Sequence, residues 1–352
     1  MKTSFFFILL SVASISCFNS EAQSLNGKDN PVNIARRIIL DTDMDTDCDD
    51  ASALAILHAL ANRGECSILG VVVSAPPVEP GVGVVRAINH ACGRPNLLVG
   101  ASSTSLNDAS RKSYQEHRRL LSKGLVEGFQ PFSQAVIKSS GLKKKPAKDA
   151  VKLYRSLLAN APDGSVTICV IGTVNSLAQL LHSKADAISP LSGHELVAKK
   201  VEKLVSMAVT DYPFGYEAFN WRMHFNSAVR VMHDWPTPVV VSSRGDHVLT
   251  GARFCELAPP KHPVRIAYET FLAGQSSNRP SWDQIAVLIA VRAEKSGIYS
   301  LSKPHSITLD AAKKRHDWQD YKSGFPRFYT QSQMSDHDLA KILDDLILEL
   351  IK

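Results

Sequence analysis

The chain has 352 residues, a net charge of +6 from 40 Lys and Arg against 34 Asp and Glu, and 44% hydrophobic residues, the make-up of a globular enzyme large enough to bury one sizeable sheet. The positive excess is local, lying between Arg111 and Lys148 at Arg118, Arg119, Lys123, Lys143, Lys144 and Lys145. Few acids and few aromatics accompany it, and no nucleic-acid motif does, so it reads as a solvated loop in preference to a nucleic-acid surface.

At the N-terminus, Lys2 precedes the apolar run Phe5-Phe6-Phe7-Ile8-Leu9-Leu10, and small and polar residues follow to Ala22. The run is shorter than the ~20 apolar residues a bilayer span needs. It reads as a cleaved export signal over residues 1–22, with the mature chain starting near Gln23 and bound for the periplasm or the exterior. Ser14-Ile15-Ser16 before Cys17 lacks the leading aliphatic residue of a lipoprotein site, which makes lipidation the weaker reading. Residues 23–35 then form an N-terminal extension and 36–352 one catalytic domain, with no membrane contact after signal cleavage. Cys48, Cys66, Cys92, Cys169 and Cys255 lack the close spacing of a metal knuckle or a disulfide framework; they read as buried thiols, with one disulfide left open in an exported protein.

Residues 37–40 are a short apolar run that ends on carboxylates, and 51–62 follow with Leu54, Ala55, Leu57 and His58 at helical spacing before Gly64. Residues 68–73 are apolar without alternation. A Pro/Gly turn at 76–83, a helix near 84–92 and a strand at 97–99 come next. Further strands are expected at 166–171, 204–209 and 239–241, and an amphipathic helix at 335–351. This alternation predicts an α/β fold: a doubly wound, mostly parallel β-sheet flanked by helices, in a single domain. Such sheets bind ligands at the carboxyl ends of their strands, where the acidic segment Asp41-Thr42-Asp43-Met44-Asp45-Thr46-Asp47-Cys48-Asp49-Asp50 falls.

Six aspartates within ten residues at the end of a buried strand repel one another, and a hard cation resolves the conflict. Carboxylates at a helix N-terminus account for Asp49 and Asp50 without a cation, but leave Asp41, Asp43, Asp45 and Asp47. Carboxylate donors without a His or Cys pair suit Ca²⁺ or Mg²⁺ and not zinc. An EF-hand loop from Asp41 would need Gly at its sixth place and Glu at its twelfth, where Thr46 and Ser52 stand. A phosphate-transferring enzyme of the haloacid dehalogenase type would also open on a strand and Asp-x-Asp, with Asp41 as nucleophile and Asp43 as acid/base, but usually has Thr or Val where Asp45 stands.

The segment resembles the opening motif of the nucleoside hydrolases, inosine-uridine preferring type, an apolar strand running into Asp-x-Asp, a short turn and Asp-Asp. Asp41, Asp43, Asp49 and Asp50 match its aspartates, although the turn Met44–Cys48 has five residues in place of the usual three with Pro-Gly. Further matches follow in order: Val166–Ala178 to a strand, Gly loop and Asn-x-x-Ala segment; Glu217-Ala218-Phe219-Asn220 to a Glu-Phe-Asn sugar-binding element; Asn226-Ser227-Ala228 to a short helix; and Ser281-Trp282-Asp283-Gln284-Ile285-Ala286 to His-Asp-x-x-Ala. Together they span residues 37 to 292.

The resemblance implies a Rossmann-like fold and a Ca²⁺-dependent N-ribohydrolase, an exported divergent member acting on a small-molecule nucleoside or riboside, compatible with a homodimer or homotetramer. It implies that Asp43, Asp50, Asp283 and the backbone carbonyl of Ile171 bind Ca²⁺, that Asp43 is the general base, and that Asp49 and Asn220 hold ribose hydroxyls. Glu217 or Asp211 would reach the far end of the sugar. Trp282 occupies the place of the usual proton-donating His, and an indole cannot protonate a purine; Trp282 and Trp221 could instead stack on a flat group. His224 and His247 are candidate replacement acids, each more often structural. A Ca²⁺-dependent sugar- or nucleoside-binding protein without turnover stands as the alternative.

Overall fold

The computed structural model describes residues 35–74, 78–103, 116, 131–208, 212–216, 219–242, 245–273, 277–292 and 296–351. The export signal, most of the N-terminal extension, Arg118, Arg119 and Lys123 of the basic stretch, Asp211 and Glu217 lie outside them.

β1 (Arg36–Thr42) has Ile38, Ile39 and Leu40 fully buried. Their alternation sends Ile38 and Leu40 into one apolar layer and Ile39 into the other, so an unbroken apolar run marks a strand covered on both faces. The chain continues through α1 (Asp49–Asn62), β2 (Cys66–Val73), α2 (Val78–Ala91), β3 (Val99–Ala101), α3 (Ser133–Ser140), β4 (Lys148–Asp149), α4 (Ala150–Ala159), β5 (Val166–Val170), α5 (Asn175–His182), α6 (Gly193–Lys200) and β6 (Val201–Met207). Then come β7 (Phe214–Tyr216), α7 (Phe219–Met223), α8 (Phe225–Asp234), β8 (Val239–Ser242), β9 (Leu249–Thr250), α9 (Ala252–Leu257), α10 (Pro263–Phe271), β10 (Arg279–Pro280) and α11 (Trp282–Val291). The last part holds β11 (Tyr299–Leu301), β12 (His305–Asp310), β13 (Arg315–Asp320), β14 (Arg327–Ser332) and α12 (Asp336–Leu348).

The strand order of the large sheet is β4-β3-β2-β1-β5-β6-β8-β14-β12-β13-β7, and pairing is parallel from β4 through β14. The chain winds outward from β1 to β4, then returns to lay β5 on the other side of β1. The switch point therefore falls between β1 and β5, where Asp41 pairs in register with Val170 and Ile171 N donates to Asp41 O at 2.7 Å. α1 buries twelve of its fourteen residues because α11, α12 and α2 pack around it. Among the described residues no helix is long and apolar enough to cross a membrane.

The doubly wound, mostly parallel sheet is the one the sequence predicts. Two regions differ. Residues 78–83, expected in a turn, already belong to α2: Pro80 sits in the first helical turn, where its missing N–H costs nothing, and Gly81 lets the helix approach the acidic loop, since a Cβ there would stand 2.8 Å from Met44 O. The antiparallel strands β11–β13 and the added parallel strand β14 were not anticipated. All five cysteines from Cys48 onward are free thiols.

Candidate active site

The six aspartates occupy six different environments. Asp41 is fully buried, and its Oδ2 accepts a 2.6 Å hydrogen bond from Tyr154 Oη on α4. Burial lifts its pKa to about 7 against the hydrogen bonds of Tyr154 and Ser74, with the charge of Asp43 adding to the rise. Asp45 has φ of 87°, a left-handed geometry that Asp tolerates, and its Oδ1 accepts from Phe132 N (3.1 Å) and Ser133 N (2.9 Å), satisfying otherwise orphaned donors at the start of α3. Asp47 receives the Arg279 guanidinium at 2.6–3.1 Å on both oxygens. Asp41, Asp45 and Asp47, left over for a cation by the sequence reading, thus have protein partners.

Asp49 and Asp50 meet a third carboxylate from far along the chain, with Asp43 beside them. Asp49 and Asp50 begin α1, and Asp283 is the second residue of α11. Carboxylate oxygens of Asp49, Asp50 and Asp283 all lie within 4.8 Å of one another and are buried, forming the only such group of potential metal ligands among the described residues. Thr42 Oγ1 donates to Asp50 Oδ1, and Asp283 N faces Asp49 Oδ2 at 3.5 Å. Asp43 is not one of the three, but it is buried beside them and its charge acts on each.

Burial first, and then the charge of a neighbouring aspartate (Asp47 on Asp49, Asp43 on Asp50, Asp49 on Asp283), holds the carboxyls of Asp49, Asp50 and Asp283 well above the usual carboxylate range. At an effective dielectric of ~20, two charges separated by about 5 Å repel by about 3 kcal/mol. Three such pairs would consume much of the ~5–15 kcal/mol that stabilises a domain. The triad therefore needs protons or a cation, and three buried hard oxygen donors fit Ca²⁺ or Mg²⁺.

Gly172 brings the β5 loop onto this corner: a Cβ there would lie 2.4 Å from Asp43 N and 2.7 Å from the Thr42 carbonyl carbon. Asn175 ties the strand ends together, donating to Ser74 O (2.9 Å) and Ser102 Oγ (3.0 Å) while accepting from Thr173 Oγ1 (2.7 Å). Asn220 Nδ2 donates to Ile171 O at 2.7 Å, so these two predicted residues meet at the switch point. Trp282 opens α11 beside the triad, half-buried, and Trp221 is a core residue that is fully buried and donates Nε1 to Ser206 Oγ. His224 is buried and its pKa is lowered by burial; His247 is exposed. Glu217 and Asp211 lie outside the described residues. A cavity of about 930 Å³ opens between α2, α3 and residues 142–149, and none of the triad lines it. Arg279 and Tyr154 sit in no local pattern that would single them out, and the Gly-loop match that contains Gly172 does not reveal its packing role.

The acidic loop follows a strand, which removes the EF-hand reading. Asp41, sealed from solvent and bonded to Tyr154, is not presented as a phosphoryl nucleophile. The fold is that of the nucleoside hydrolases. The inosine-uridine preferring nucleoside hydrolase of Bacillus anthracis is 16% identical, covering 90% of this chain and 99% of its own, with a TM-score of 0.63. The purine-preferring ribonucleoside hydrolase of Gardnerella vaginalis is 14% identical, at 90% and 99% coverage and a TM-score of 0.61. The type III effector XopQ, solved with adenosine diphosphate ribose, is 15% identical, at 91% and 94% coverage and a TM-score of 0.62. No family model and no curated protein sequence matches the chain.

Proposed function

We propose that this protein is a Ca²⁺-dependent hydrolase of the N-glycosidic bond of a ribonucleoside or related riboside, acting after export and removal of residues 1–22. The observation that carries the reading is the buried carboxylate triad of Asp49, Asp50 and Asp283 at the sheet's switch point, with Asp43 beside it. Two of the neighbours of like fold, by their names, act on nucleosides, and a third was solved with adenosine diphosphate ribose.

A hard cation at the triad would supply Lewis acidity toward the attacking water and the sugar hydroxyls. Asp43, lining the same corner, takes the proton from that water as it attacks the anomeric carbon. Asp49 and Asn220 orient ribose hydroxyls, and the Asn220 amide donates to the Ile171 carbonyl, the neutral oxygen ligand in this reading. Trp282 offers a flat apolar face and no proton, and burial lowers the pKa of His224. The aglycone accordingly leaves with little protein assistance, which favours substrates that depart readily as anions or as already charged bases.

The test is direct. Purified mature protein with Ca²⁺ should release base or reducing sugar from at least one member of a panel of nucleosides, ribosides with acidic aglycones and nucleoside diphosphate riboses. The lack of a proton donor at Trp282 favours a second reading, a riboside-binding protein without turnover; binding of a panel member with no product released would establish it instead.

A further inference from the structure

The triad draws on two chain segments far apart in sequence, the acidic loop and the start of α11, and something must hold them face to face while their carboxylates repel. Among the described residues an ion pair joins the two segments. Arg279 Nε and Nη2 reach both oxygens of Asp47 at 2.6–3.1 Å, across 232 residues of sequence. Asp47 stands two and three residues before Asp49 and Asp50, and Arg279 stands four residues before Asp283. The pair is mostly shielded, with 16% and 22% of the two side chains exposed, a setting in which a bidentate pair is directional and resists screening. The guanidinium is confined on its faces as well, 5.7 Å from the Phe271 ring centre and 5.2 Å from that of Trp282, the residue adjoining Asp283. Trp282 is also packed against Gly245, where a Cβ would stand 2.6 Å from its Cα and from its ring Cδ1.

We infer that the Asp47–Arg279 pair, with Trp282 stacked on it, is a positioning device that sets the distance between the Asp49/Asp50 corner and Asp283 and so preforms the cation site. The inference rests on the cation reading proposed above.

Coulomb's law and the positioning role predict opposite signs, which makes the test sharp. Arg279 is a cation beside a cation site, so its charge alone weakens Ca²⁺ binding, and neutralising it should tighten binding. If the pair sets the geometry, neutralising it weakens binding. We expect Arg279→Met to bind Ca²⁺ tenfold or more weakly than the wild type by titration calorimetry on the full-length mature protein. A double-mutant cycle with Asp47→Asn should show the double variant no weaker than the worse single one, since the two residues act as a unit. Should Arg279→Met not fold, Arg279→Gln, which keeps length and one donor, carries the same sign test. Ca²⁺ binding by the neutral variant as tight as or tighter than wild type overturns the inference while leaving the cation site standing. A wild type that binds no Ca²⁺ overturns the cation reading and this inference together.

Discussion

At the scale of single residues, identical side chains do different work according to what each can reach. Asp45 caps a helix, Asp47 meets a guanidinium, Asp41 accepts from a buried phenol, and Asp49 and Asp50 meet Asp283. Asp43, buried beside the triad without belonging to it, is the general base of the proposed mechanism. Asn at this position keeps the shape and removes the basicity. Asp43→Asn is expected to lower turnover by ~10²–10⁴, the usual contribution of a positioned general base, while affinity for free ribose is retained. Steady-state rates beside ribose calorimetry measure the two; unchanged turnover would reject Asp43 as the base.

At the scale of elements, the site depends on how closely the loop after β5 can approach the end of β1. Gly172→Ala places a methyl 2.4 Å from Asp43 N, in contact with backbone that has nowhere to move because Ile171 N is bonded to Asp41 O. Displacement of either loop shifts Asp43 and the Ile171 carbonyl, so the variant should lose most of its Ca²⁺ affinity and lose stability by a few kcal/mol, about the cost of overpacking; calorimetry and urea melts would read both, and a wild-type isotherm would refute the argument. The same distinction explains what the sequence made visible. β1, β2, β5, β6 and β8 are buried on both faces, so their apolar runs stand out. β12 and β13 read His-Ser-Ile-Thr-Leu-Asp and Arg-His-Asp-Trp-Gln-Asp, half exposed, with too few apolar residues to register. Asp49, Asp50 and Asp283, which the structure brings together, could be singled out because each falls in a short local motif, Asp-Asp or Trp-Asp-Gln-Ile-Ala. Tyr154 and Arg279 meet their aspartates across 113 and 232 residues, and no local period encodes such a meeting. The five-residue turn, which departed from the family pattern, now has a physical account: its extra length carries Asp45 and Asp47, each anchored on another element.

At the scale of the whole molecule, the buried carboxyls couple folding to pH and to the cation. Asp49, Asp50 and Asp283 have folded-state pKa values above those of the unfolded chain, so between the ordinary carboxylate range near 4 and their raised values the folded protein binds more protons than the unfolded one. Stability without a cation therefore falls as pH rises from about 4, and Asp41 contributes to that decline up to about 7. A cation reverses the sign, because it replaces those protons and binds more tightly as they leave. At a Ca²⁺ concentration of about 100 Kd the added stability is ~2.7 kcal/mol. For a chain of this size that corresponds to a rise of roughly 5 °C in Tm. Thermal melts at pH 5, 6.5 and 8, with EDTA and with Ca²⁺, should show Tm falling with pH in the chelated protein and the Ca²⁺ increment growing with pH. An increment that stays flat across those three values would mean that the triad does not exchange protons for the cation, and the cation would then have to be held elsewhere.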